Sequence, residues 1–273
     1  MDDERLMREA ISLAAGTRPH PNPRVGALVL DVTGEVVSRA AHAGPGEPHA
    51  EALALAQAGE RARGGTLVVT LEPCDHTGRT PPCTAAILGA GVVRVLVGVV
   101  DPDPRVAGRG LERLREAGLE VRAGVAGDAA EALDPAYFHH RRRGRPRVTL
   151  KAALTLDGQA AAADGTSQWI TSEEARADAH RLRAEVDAVV IGAGTLAADD
   201  PLLTVRLAGY EGPQPRPVVV AGRRPLPPGA RLWAREPVVL APGPVDVPGE
   251  VVLAPGPGGV DLEAGLRALG DRG

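Results

Sequence analysis

Residues 66–99 read TLVVTLEPCDHTGRTPPCTAAILGAGVVRVLVGV. Thr66 to Leu71 is a short, β-branched, apolar run of the kind that fills a buried strand, and Val92 to Val99 is a second one. Between them, Thr80-Pro81-Pro82 supplies an N-cap and first-turn prolines for a helix running through Ile87 and Leu88 to Gly89 or Gly91. Strand, helix, strand is the repeating unit of a parallel sheet covered by helices.

The flanking sequence extends the alternation. Upstream, Leu6, Ala10, Leu13 and Ala14 recur at helical spacing and predict a helix over 2–15, stopped by Gly16. Three prolines in Thr17-Arg18-Pro19-His20-Pro21-Asn22-Pro23 force a stiff loop, after which Val25 to Leu30 and Glu35 to Ala41 predict a hairpin turning at Thr33-Gly34. His49 to Ala58 predicts a helix ending at Gly59. Downstream come a helix near Gly110 to Ala117 and a strand at Leu119 to Arg122. The basic run from His139 to Arg147 reads as a solvated linker and a domain boundary. Beyond it the pattern restarts: strand Val148 to Leu154, helix Ser172 to Ala184, strand Ala188 to Ile191, and a short strand Val251 to Leu253 inside a Pro- and Gly-rich stretch. The expectation is α/β throughout, with domains over 1–145 and 146–273.

Composition narrows the function. A chain of 273 residues with 44% hydrophobic and 24% charged residues can bury real cores. A net charge of −4 and 2% aromatics leave neither a basic track nor a stacking surface for nucleic acid. The chain contains no apolar run near the roughly 18 residues a membrane span needs, so no membrane partner is expected. The acidic start Met1-Asp2-Asp3-Glu4-Arg5 is unlike a secretory signal, which predicts a cytoplasmic protein. Two cysteines do not make a disulfide framework, and in a reducing compartment they favour metal or thiol chemistry.

That chemistry is specified by His49-Ala50-Glu51 followed by Pro73-Cys74 and Cys83, the His-x-Glu and Pro-Cys logic of zinc deaminases. His49, Cys74 and Cys83 supply three ligands to Zn2+ and leave a fourth tetrahedral position for water, as catalysis requires. Glu51, within one turn of His49, is placed to move protons rather than to bind metal. A closed structural site would want a fourth protein ligand, for which His76 is the candidate.

At this point the sequence resembles the bifunctional riboflavin-biosynthesis deaminase/reductase family, from about residue 2 onward. The segments that carry the resemblance are His20-Pro21-Asn22-Pro23, Gly46-Glu47-Pro48-His49-Ala50-Glu51, and Thr70-Leu71-Glu72-Pro73-Cys74 through Thr80-Pro81-Pro82-Cys83. Eight residues between the cysteines set it apart from cytidine and tRNA deaminases. The resemblance implies a cytidine-deaminase-like three-layer α/β/α domain followed by a dihydrofolate-reductase-like α/β domain. The implied substrate is a phosphorylated small molecule, a diaminopyrimidinone carrying ribosylamine 5-phosphate, contacted by Asn22, His42, His76 and Arg79. Deamination at ring position 2 would be followed by NADPH-dependent reduction of the ribosyl group. A homo-oligomer, dimer or tetramer, is implied as well.

Lys151 is the only lysine in the chain, which suggests a position that needs an ammonium group. The resemblance identifies Lys151 to Gly158 with the opening strand and turn of the reductase domain. It implies that Lys151, Ala153, Trp169, Thr195 and Asp199 line the NADPH site, and that Ser167, Arg183, Leu203 and Arg206 meet the substrate. Three departures stand out. Asp103 replaces the usual Asn in Asp101-Pro102-Asp103-Pro104, Val218 to Gly222 lacks the usual Asp-Ser, and the sequence stops at Gly273 before the expected Glu-Gly-Gly cofactor loop. The second domain is therefore expected to be C-terminally incomplete.

Overall fold

The computed structural model describes residues 2–78, 81–167, 169–222 and 224–272. They form two compact units, one through Arg147 and one from Val148 to Arg272.

The first unit holds α1 (Asp3–Ala15), β1 (Gly26–Leu30), β2 (Val36–Ala41), α2 (Ala50–Ala58), β3 (Thr66–Leu71), α3 (Cys83–Ala90), β4 (Arg94–Val99), α4 (Arg109–Glu116), β5 (Glu120–Ala123), α5 (Gly127–Ala132) and α6 (Pro135–Arg143). Its sheet runs β2-β1-β3-β4-β5. The β1–β2 and β1–β3 pairs are antiparallel, and β3–β4 and β4–β5 are parallel, so this sheet is mixed rather than mostly parallel. Alternation along each strand feeds two cores. Ala27, Val29, Leu67, Val69, Val95 and Val97 face α2, α3, α4 and α6, whereas Leu28, Leu30, Val68 and Leu96 face α1 and its neighbour α5. This is the three-layer α/β/α arrangement.

Two details show how closely the layers approach. A side chain at Gly26 would place its Cβ 2.1 Å from the Ala10 carbonyl, so α1 lies directly against β1. Asp3, nearly buried, takes Arg94 at 2.9 Å and Arg122 at 2.7 Å, which fastens the start of α1 to β4 and β5. The inward stripe of α1 is Leu6, Met7, Ala10 and Ala14; Leu13, expected in it, lies at the edge and is partly exposed.

The first half of the basic run is helix rather than linker, and residues 144–147, which form no helix or strand, lead to the end of the first unit at Arg147. His139 to Arg143 form the end of α6, because Asp134 caps that helix, Pro135 opens it and Phe138 is buried in the core. Arg142 pairs with Glu131, and Arg141 lies 3.6 Å from Asp103.

The second unit holds α7 (Glu173–Ala184), β6 (Ala188–Gly192), α8 (Ala193–Asp199), β7 (Arg216–Val220), β8 (Val238–Ala241), β9 (Glu250–Leu253), the small ladder β10 (Pro255–Gly256) with β11 (Gly259–Val260), and α9 (Leu262–Gly270). Its main sheet, β6-β7-β8-β9, is parallel throughout. Leu196, Leu203 and Trp233 pack on one face around Val219 and Val239. Ala268 and Leu269 of α9 pack on the other, around Val218, Val238 and Leu240. The strand expected at Val148 to Leu154 does not form. An apolar run becomes a strand only where a ladder accepts its backbone groups, and here Leu150 is left 90% exposed.

Candidate metal centre and its surroundings

The site sits at the C-terminal end of β3, where that strand changes from an antiparallel to a parallel neighbour. Open α/β sheets bind ligands at such switch points. The chain leaves β3 through Glu72-Pro73-Cys74, while α2 and α3 bring their first turns to the same place. His49 is the N-cap of α2, Glu51 lies in its first turn, and Cys83 is the first residue of α3. That helix starts at Cys83 with Pro82 as its N-cap, two residues after the expected cap at Thr80, which lies outside the described residues. Helix starts favour negative charge, which would lower the cost of a thiolate at Cys83 when a metal is bound.

The three expected ligands converge. His49 Nδ1 lies 3.1 Å from Cys83 Sγ and 3.7 Å from Cys74 Sγ, and all three ligand atoms fall within 4.8 Å of one another. With metal–sulfur bonds of about 2.3 Å, tetrahedral ligand atoms stand roughly 3.5–3.8 Å apart, so the donor set fits zinc. Neither cysteine is in a disulfide. His76, the possible fourth ligand, is exposed and outside this cluster, which leaves a three-ligand centre among the described residues.

The electrostatics fit a cation. Two sulfurs this close cannot both carry charge unopposed. The hydrogen bond from Cys83 holds the Cys74 thiol down to about 4, while sharing with Cys74 and burial push Cys83 up. Contact with the Cys74 sulfur raises His49. Glu51 is buried, which raises its carboxyl, and its side chain also reaches Cys83.

Beside the centre, His42 packs edge-on against His49, with ring centroids 5.3 Å apart. Its Nδ1 lies 3.1 Å from the Pro48 carbonyl, which can only accept, so Nδ1 carries the proton. Nε2 then accepts from Asn22 Nδ2 at 2.8 Å. His42 is buried and fully engaged, and desolvation lowers it. Asn22 is half-buried; Arg79, read as a phosphate contact, lies outside the described residues.

Three residues outside the expected ligand and contact sets shape this region. Glu72 is buried and accepts backbone N–H groups from Asp101, Gly108 and Gly110. Tyr137 donates to Asp101 at 2.9 Å. Asp103, the departure from the usual Asn, is gripped by Arg105 at 2.7 Å and held down to about 2 by it. The one signal for Glu72 was an acid directly after a buried strand.

The second unit treats its expected residues differently. Lys151 and Ala153 lie in the stretch that forms no strand, and Ser167, Thr195, Asp199 and Arg206 are exposed. Trp169 is 69% exposed, with Arg176 stacked 4.5 Å from its ring. Thr195 and Asp199 share one face of α8.

More order surrounds Asp200 to Arg206. Arg231 holds Asp200, Arg235 donates to the Leu202 carbonyl, Arg183 to that of Thr204, and the Arg206 N–H donates to His180 Nδ1. Leu203 within this loop is buried with φ 55°. Burial, Arg206 and Arg235 all lower Arg183, the pattern of a cationic patch suited to an anion. Arg235 was not anticipated.

Comparison with known proteins agrees with both halves. Residues 1–99 match the cytidine and deoxycytidylate deaminase zinc-binding region, and residues 146–273 match the RibD C-terminal domain. Riboflavin biosynthesis protein RibD of Aquifex aeolicus is 47% identical over 236 residues, covering 86% of this chain and 66% of that protein. The Escherichia coli protein of the same name is 49% identical over 208 residues, covering 76% of this chain and 56% of that protein. The chain thus spans less than two thirds of the length of these relatives. The solved structure of Acinetobacter baumannii RibD superimposes with a TM-score of 0.90 at 36% identity, covering 99% of this chain and 78% of that one. A Thermotoga maritima diaminohydroxyphosphoribosylaminopyrimidine deaminase/5-amino-6-(5-phosphoribosylamino)uracil reductase gives 0.88 at 38% identity, with 99% and 78% covered. No helix among the described residues is long and apolar enough to cross a membrane. By its two matched regions and its likeness along nearly its whole length to solved relatives, the chain belongs to the RibD family.

Proposed function

We propose that the first unit is a zinc-dependent deaminase of 2,5-diamino-6-(5-phosphoribosylamino)pyrimidin-4(3H)-one, yielding 5-amino-6-(5-phosphoribosylamino)uracil and ammonia. The observation that carries this reading is the convergence of His49, Cys74 and Cys83 with a buried acid, Glu51, in the same first turn as His49. When bound there, zinc makes hydroxide available near neutral pH. Glu51 would take one proton from the attacking water and pass it to the ring nitrogen, then take the second proton from the adduct's hydroxyl and deliver it to the departing amine, so that ammonia leaves as the carbonyl forms; its burial suits a group that must both accept and release protons. Asn22 reads the pyrimidine edge, with His42 holding it in place from behind. His76 and Arg79 serve the ring or the phosphate. Two thiols outside a disulfide suit a reducing compartment, the cytoplasm.

In the second unit, Ser167, Arg183, Leu203 and Arg206 contact the phosphorylated substrate. Lys151, Ala153, Trp169, Thr195 and Asp199 hold NADPH, which supplies the hydride that turns ribosyl into ribityl. A second reading, deaminase alone with a non-catalytic second unit, is favoured by one observation: Lys151 and Ala153 lie outside any sheet. Fluorescence titration with NADPH separates the two, since saturable binding abolished by Asp199→Ala and Thr195→Ala supports the reductase and no binding supports the alternative.

The test of the deaminase is Glu51→Gln. The expected result is ammonia release reduced by about 10²–10⁴-fold with zinc content unchanged by metal analysis. Undiminished turnover contradicts the mechanism.

A further inference from the structure

Cys74 is the one ligand not carried by a helix start. Pro73, just before it, has no N–H with which to fasten the turn. The carboxylate of Glu72, 4% exposed, does this instead. It accepts from Asp101 N–H at 3.2 Å, Gly108 N–H at 2.9 Å and Gly110 N–H at 3.0 Å. Among the described residues no arginine or lysine pairs with it. Its charge is met by peptide N–H groups and by the positive end of α4, for which Gly108 is the N-cap.

The contact is close as well as polar. A Cβ on Gly110 would stand 1.9 Å from the Pro73 carbonyl oxygen, so α4 and the Pro73–Cys74 turn are in direct apposition. The far end of the loop is anchored too, because Asp101 accepts from Tyr137 O–H and from Asp103 N–H. On its other side Cys74 is tied to α3, its carbonyl accepting from Thr84 N–H at 3.2 Å and its sulfur lying 3.5 Å from Cys83 N–H. Cys74 is therefore held between two helices, and Glu72 makes the polar link to one of them.

We infer that Glu72 is a positioning residue for the metal centre, setting where the Cys74 sulfur stands relative to His49 and Cys83. The inference rests on the zinc reading above. Residues that orient metal ligands without touching the metal typically contribute about 10- to 100-fold in affinity.

The experiment measures zinc affinity of the full chain by chelator competition, alongside the absorption spectrum of the cobalt(II)-loaded protein. Glu72→Gln replaces one accepting oxygen with a donor, and the expected result is zinc binding weakened by about 10- to 100-fold with altered cobalt–thiolate bands. Leu114→Ala, a core change in α4 that does not touch Glu72, should lower Tm while leaving the affinity and the spectrum as in the unaltered protein. Glu72→Asp keeps the charge but withdraws it by one methylene, so a measurable loss is expected there even if the Gln variant does not fold. Unchanged affinity in either Glu72 variant, or an equal loss in Leu114→Ala, overturns the inference. An unaltered chain that takes up no zinc instead overturns the reading of the centre itself.

Discussion

The two units are built alike, each a sheet with helices on both faces, yet most of the residues proposed to act in them are placed differently. In the first, Glu51, Cys83 and His42 are buried, and each is bonded to a neighbour within the site. In the second, Trp169, Thr195 and Asp199 stand in solvent and Lys151 lies on an unpaired stretch. Preorganisation is needed most where small atoms must be held at fixed spacing. A metal centre requires ligand atoms placed to tenths of an ångström, so its proposed ligands sit at a strand end and two helix starts against the core, Cys83 buried and His49 and Cys74 partly so. A large cofactor and a phosphate ester can be met on a face by several separate segments, each held by its own local bonds.

The contrast predicts unequal responses to truncation. Leu28→Ala, in the fully buried face of β1, should cost about 2–5 kcal/mol in chemical denaturation, whereas Val190→Ala, on a partly exposed position of β6, should cost under about 1 kcal/mol. Equal losses would break the comparison. Gly110→Ala should cost about 1–3 kcal/mol despite adding only a methyl, because that methyl meets the Pro73 carbonyl. A neutral result in the same assay would mean that α4 moves freely away from the Cys74 turn.

Acid stability should depend on one ion pair of the first unit. Arg105 holds Asp103 down to about 2, well below the ordinary 3.8. A depressed carboxyl stabilises the fold above its ordinary value, and that contribution is lost as pH falls from about 4 to about 2. Arg105 is largely exposed, so solvent screening limits the effect to about 1 kcal/mol. Asp103→Asn should flatten stability over that window by this amount, measured as Tm against pH; an unaltered slope would contradict it. The smallest change is expected at Trp169→Ala, where stability should move by no more than about 0.5 kcal/mol while NADPH titration weakens. A large loss of Tm would show that Trp169 serves the core after all.

How far the sequence could be read follows the same division. The convergence of His49, Cys74 and Cys83 was legible because its spacing is local: His49 and Glu51 stand at one helix start, Cys74 follows a strand and Cys83 opens the next helix. The strand from Thr66 to Leu71 was legible because an apolar run buried on both faces has few other uses. Helix α6 was missed because four basic residues at its end outweighed the Asp134-Pro135 start signal. Glu72 and Arg235 were missed because their partners, Gly110 and Leu202, are dozens of residues away and become neighbours only in the fold. The strand expected at Val148 failed for the complementary reason, since β-propensity does not supply a partner ladder.

The most direct test is mass spectrometry of the product formed when zinc-loaded protein meets the diaminopyrimidinone ribosylamino phosphate together with NADPH. The expected product has one amino group replaced by oxygen, with two further hydrogens added if the second unit is catalytic. Unaltered substrate, with zinc confirmed in place, would contradict it.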